Sequence, residues 1–150
     1  MLETTMPTNT YTITDVKVID GDTFDCTIIL GFDITLRQRI RLLNIDTPEI
    51  RTKDAEEKKF GLLAKRKLVE IVKQASSLHL KCETKREKFG RVLGELWADV
   101  KGEEESDLFN VNKFLCDNFY AVPYSGQSRE EIAKQHIENR SKLDLPNDVI

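Results

Sequence analysis

The apolar pattern of this chain switches at Pro48 from a period of two to a helical period, so strands and helices both have to be accommodated. From Tyr11 to Ile19, Ile13, Val16, Val18 and Ile19 are mixed with threonine, a composition that suits a strand. Asp20-Gly21 is a turn signal. Phe24, Cys26 and Ile28 then alternate with Asp25 and Thr27, as a half-buried strand would. Gly31 breaks that strand, and Ile34 to Ile45 reads as a third. Pro48 ends it, because proline lacks an N–H and holds Thr47 extended. Beyond it, Phe60, Leu63, Ala64, Leu68, Ile71, Val72 and Ala75 recur at the spacing of one helix face.

The remainder is shorter and mixed. Leu78, Leu80 and Cys82 alternate as a fourth strand, and Val92 to Val100 reads as a fifth. Asp107 to Asn118 reads as a second helix. Ser128 and Glu131 form a capping box that opens a third, running to about Leu143. Three strands, a helix, two strands and two helices imply an α+β domain around a small antiparallel sheet or barrel. The expected organisation is a loose tail over residues 1–10, one domain over 11–145 and a polar tail over 146–150.

With 150 residues, 39% hydrophobic and 33% charged, the chain can bury one ordinary core as a soluble globular protein. It contains no uncharged apolar run approaching the ~18 residues of a membrane span. Residues 1–10 have neither a basic nor an apolar leader region, so a cytoplasmic protein is expected. Cys26, Cys82 and Cys116 form no paired motif and read as thiols filling apolar positions in a reducing compartment. Two histidines and three scattered cysteines exclude a zinc site of ordinary spacing. Trp97 reads as core, His79 as solvent-facing and His136 as a helix-flank residue. Net charge is -3, yet residues 51–91 carry 13 Lys and Arg against 6 Asp and Glu. Local potential rather than total charge steers a polyanion, so this basic block keeps a nucleic-acid partner open.

Four segments carry candidate chemistry. Val18-Ile-Asp-Gly-Asp-Thr23 sets Asp20 and Asp22 across a tight turn. Arg41-Leu-Leu-Asn-Ile-Asp-Thr-Pro-Glu49 runs an arginine into an acidic, proline-stopped loop. Lys88-Phe-Gly-Arg91 is a basic turn, and Tyr120 to Tyr124 follows the second helix. Singly, each has a plain reading as a turn, a strand end or a solvated face.

Together, from Val18 to Tyr124, they resemble the staphylococcal nuclease (thermonuclease) family. Phe60-Gly61, Trp97-Ala-Asp99 and Val111-Asn112 extend the likeness in order and spacing. The resemblance implies an OB-type five-stranded antiparallel β-barrel with three α-helices. It implies a single Ca²⁺ held by Asp22, Asp46 and the Thr47 carbonyl, with Asp20 outside the ligand shell. It makes Glu49 the general base or the residue that orients the attacking water. It makes Arg41 and Arg91 the pair that grips the scissile phosphate, because guanidinium donates two parallel hydrogen bonds and keeps its charge. Lys88 and Tyr124 match positions that contact the substrate's terminal phosphate and nucleotide. The implied reaction is metal-assisted hydrolysis of DNA and RNA to 3′-phosphate ends, on single-stranded or open segments, by a monomer with no membrane partner.

Three departures qualify the likeness: Phe89 replaces a common tyrosine, the hairpin between Thr23 and Arg41 is longer, and the chain is acidic where the type member is basic. The rival expectation is a non-catalytic OB-type module that binds nucleic acid or protein. It predicts erosion at the metal and arginine positions, and Asp22, Arg41, Asp46, Glu49 and Arg91 are all present.

Overall fold

Among the described residues, eight strands and three helices follow in the order β1 (Thr10–Asp20), β2 (Thr23–Gly31), β3 (Ile34–Leu42), β4 (Ile45–Asp46), α1 (Ala55–Gln74), β5 (Ser77–Arg86), β6 (Val92–Lys101), β7 (Ser106–Asn110), α2 (Val111–Asp117), β8 (Val122–Pro123) and α3 (Arg129–Arg140). These come from a computed structural model that describes residues 9–101 and 106–149. The tail expected over residues 1–10 lies, up to residue 8, outside the described residues. The segment expected to be a polar tail from residue 146 folds back, with Val149 buried against Phe60 and Leu63.

β1, β2 and β3 form an antiparallel meander, β1 also pairs with β5, and β5 with β6. β3 closes the ring by lying parallel to β6, with Ile40 opposite Val92 and Leu42 opposite Gly94. The barrel is therefore mixed, where a wholly antiparallel one was expected. The reason is parity: strands alternating in direction around a ring of five must meet once in the same direction. Phe24, Cys26, Ile40, Leu42, Leu80 and Leu96 fill the interior at 0–1% exposure. Burying a side chain of this size contributes about 1.5–3 kcal/mol. α1 lays Leu68 and Ile71 on this core and Phe60 and Leu63 on the smaller cluster with Val149, and Asp54 caps its first turn through Glu56 N and Glu57 N.

Three local readings change. The long third strand breaks at Leu43-Asn44, where Asn44 takes φ 62°, a left-handed conformation that asparagine tolerates. That break re-aims the chain so that β4 pairs with β8. The second helix starts at Val111, because the Asn110 side chain accepts from Lys113 N and Asp107 to Asn110 remain in β7. Trp97 is only half-buried: its neighbours Leu96 and Ala98 point inward, so the pleat turns it out, and its Nε1 donates to Glu95 at 2.7 Å.

Candidate active site

Three loops meet at one end of the barrel, and two glycines let them approach. A Cβ on Gly21 would lie 2.8 Å from the Ala64 Cβ and 2.9 Å from Thr47 Cγ2. A Cβ on Gly61 would lie 2.7 Å from the Pro48 carbonyl oxygen. The turn carrying Asp20 and Asp22, and the loop carrying Thr47 and Glu49, thus both rest on α1 because these two positions lack side chains.

Asp22 is buried at the turn and its carboxylate is almost fully engaged. Oδ2 accepts from Thr47 N at 3.1 Å, and Oδ1 accepts from Thr23 Oγ1 at 3.0 Å. The Arg41 guanidinium, only 16% exposed, reaches Asp22 Oδ2 at 3.3 Å and Asp46 Oδ1 at 3.5 Å through the same Nη2. Its Nη1 donates to the Leu42 carbonyl at 2.8 Å, which fixes the fork. Burial pulls the Asp22 carboxyl upward, but the Arg41 charge and the hydrogen bonds from Asp20, Thr47 and Thr23 outweigh it and hold it below the ordinary value. Asp20 goes the other way: burial, then the proton shared with Asp22 and the Asp22 charge, push it up to about 6.

Arg91 approaches from β6's leading turn. Its Nε and Nη2 donate to the two carboxylate oxygens of Glu87, each at 3.1 Å. Glu87 Oε1 also accepts from Phe89 N at 2.9 Å and Arg91 N at 3.0 Å. Hydrogen bonding from Arg91, then its charge, drives the Glu87 carboxyl down to about 2 against a smaller cost of burial. Glu49 is exposed at the rim; its backbone N–H donates to Glu57 Oε1 at 3.3 Å.

Asp20, Asp22, Arg41, Asp46, Thr47, Glu49 and Arg91 line one recess of about 290 Å³. A groove of about 820 Å³ shares its Arg41, Asp46, Thr47, Glu49 and Arg91 wall and continues past Tyr124 and Ile132. Tyr124 is set there by the hydrogen bond from its backbone N–H to the Asn44 carbonyl, 2.8 Å. Lys88 is exposed on the Arg91 turn with its Nζ 5.7 Å from the Phe89 ring, outside the lining of both cavities. Of the expected site residues, Lys88 is the one the structure leaves at the periphery.

Two residues at the site went unmarked by sequence reasoning. Glu87 could have been found, since Glu four residues before Arg across a Gly turn is an ion-pair spacing. His136, expected on a helix flank, is instead buried, with Nε2 2.8 Å from Asp46 Oδ2. No periodic signal marks it, because α3 has no apolar stripe.

The staphylococcal nuclease homologue family matches residues 39–143. The chain belongs to this family. The match spans Arg41, Asp46, Thr47, Glu49, Arg91, Tyr124 and His136, while Asp20 and Asp22 precede it. No curated protein matches the chain. A staphylococcal nuclease homologue is a nuclease-type protein, with nucleic acid as its general class of partner.

Proposed function

We propose that this staphylococcal nuclease homologue is a Ca²⁺-dependent phosphodiesterase that hydrolyses DNA and RNA, leaving 3′-phosphate ends. The observation that carries the reading is one guanidinium, Arg41, shared between two carboxylates from separate loops, Asp22 and Asp46, on the wall of a recess that Arg91 and Glu49 also face.

What supports a hard divalent cation is the chemistry of the donors, not a ready-made cluster: among the described residues no three acidic or histidine side chains form one. The acidic groups of the recess are all oxygen donors, and Arg41 alone serves two of them while Arg91 is committed to Glu87. Among the described residues the Asp20 carboxyl makes no ion pair, and burial, then its contact with Asp22, pushes it up to about 6. Asp22, Asp46 and the Thr47 carbonyl would hold the ion. Three protein donors out of six to eight leave room for water and a phosphate oxygen. Bound there, Ca²⁺ would supply Lewis-acid polarisation of the phosphate.

The chain's own groups do the rest. Arg41 and Arg91 grip the non-bridging phosphate oxygens and stabilise the charge that builds on them. Glu49, at the rim and in no ion pair among the described residues, accepts the proton of the attacking water or orients it. Tyr124 borders the groove where a nucleotide would lie, and Lys88 acts at the periphery on the next phosphate. Because the grip is on phosphate, base preference is weak.

The test is digestion of plasmid and single-stranded DNA, and of RNA, with CaCl₂, with MgCl₂ and with chelator. Cleavage in CaCl₂ that chelator abolishes is the expected result. Binding of the strands without cleavage in any condition would replace the enzyme by a nucleic-acid-binding module.

A further inference from the structure

α3 buries one residue, His136, and its Ile132, Ala133 and Ile137 gather on no buried apolar face. A helix without an apolar face gains little from docking on hydrophobic grounds, so the contact made by that one ring matters. The ring Nε2 lies 2.8 Å from Asp46 Oδ2. A carboxylate oxygen only accepts, so the ring nitrogen carries the proton and donates. Asp46 needs such support. It sits on β4, a strand of two residues paired only with β8, and its other oxygen has Arg41 at 3.5 Å. The His136 ring is buried as well as hydrogen-bonded, and it lines a narrow crevice with Pro48, Phe60, Tyr120 and Leu143.

We infer that His136 is a positioning residue for Asp46: it occupies Oδ2, locks the carboxylate rotamer, and leaves Oδ1 as the single oxygen that Asp46 presents to a cation. This rests on the reading that Asp46 is a cation ligand. It makes α3 part of the site at a distance of 90 residues in sequence. Partners that orient a liganding side chain in this way are worth about 10–100-fold in metal affinity.

Calorimetric titration of CaCl₂ into the full chain tests it, with His136→Gln, His136→Asn and Asp46→Asn beside the unmodified protein. The glutamine amide nitrogen reaches the place of imidazole Nε2, and the asparagine amide falls short of it. Both are small polar replacements, and thermal unfolding reports any loss of fold. Expected is Ca²⁺ affinity within about threefold for His136→Gln and a loss of about 10–100-fold for His136→Asn, at similar thermal midpoints. A purely structural anchor would give the reverse, with the His136→Asn midpoint lowered and affinity unchanged, and would overturn the inference. If the unmodified chain and Asp46→Asn bind CaCl₂ identically, Asp46 is no ligand and both readings fall together. A nitrogen spectrum of the unmodified chain adds a check that needs no variant: a His136 Nε2 without a proton overturns the inference.

Discussion

Glu87 accepts from four nitrogens at once: Phe89 N, Arg91 N, Arg91 Nε and Arg91 Nη2. Its carboxyl ordinarily titrates near 4.5 and here near 2. The folded protein therefore releases this proton more readily than the unfolded chain does. The resulting stabilisation is whole above pH 4.5 and disappears as pH falls toward 2. Thermal midpoints of the unmodified chain and Glu87→Gln, followed from pH 6 to pH 2, should differ by a constant amount above about pH 5 and converge at the acid end. Arg91→Ala should lower kcat on the order of 10³-fold with an unchanged circular dichroism spectrum, the scale on which phosphate-clamping arginines act. Glu49→Gln should lower kcat far more than it raises KM, since the group is asked to act on the attacking water and not on binding. Steady-state kinetics on a defined oligonucleotide check both, and a pure KM effect for Glu49→Gln would remove it from proton transfer. At this scale the recess was legible wherever a residue sits in a short motif: Asp20, Asp22, Arg41, Asp46, Thr47, Glu49 and Arg91 do converge. His136 was not, because one polar residue on a polar helix leaves no pattern until tertiary packing brings it to Asp46.

Among the elements, α2 matters through a single side chain. Asn112 is buried; its Oδ1 accepts from Leu96 N at 3.0 Å, and its Nδ2 donates to the carbonyls of Leu43 and Gly94 at 3.0 and 3.2 Å. It therefore pins β6 to the break after β3, directly beside the parallel seam. Replacement by Leu removes the partner of the Leu96 N–H and of the Leu43 carbonyl, at about 1–3 kcal/mol for each group left unsatisfied, while the Gly94 carbonyl still accepts from Leu43 N at 2.8 Å. Asn112→Leu should lose about 2–5 kcal/mol in urea unfolding, and recovery of the unmodified midpoint would deny the bridge. Strand periods were readable because the pleat forces alternation, as Phe24, Cys26 and Ile28 display. The break at Asn44 and the start of α2 at Val111 were not, since both depend on one residue's conformation or cap rather than on a repeating pattern.

Across the whole molecule, charge is segregated. The excess of cations over residues 51–91 sits in an otherwise acidic chain, and α1 holds several of them exposed, among them Lys58, Lys59 and Arg66. Two expectations for strand binding separate cleanly. If only Arg41, Arg91 and Lys88 meet phosphates, log Kd against log salt on single-stranded DNA should have a slope of magnitude about 2. If the entire block tracks the backbone, the magnitude should be several times larger. Fluorescence anisotropy with Glu49→Gln, across KCl concentrations, distinguishes them; the recess geometry favours the smaller slope.

Arg41 joins these scales. Its fork holds the Leu42 carbonyl, Asp22 and Asp46 in one grip. The guanidinium proposed to steady a reacting phosphate is thus also the one that ties two acidic loops together. A descendant that abandoned chemistry could not discard this arginine alone without leaving a pair of uncompensated anions behind.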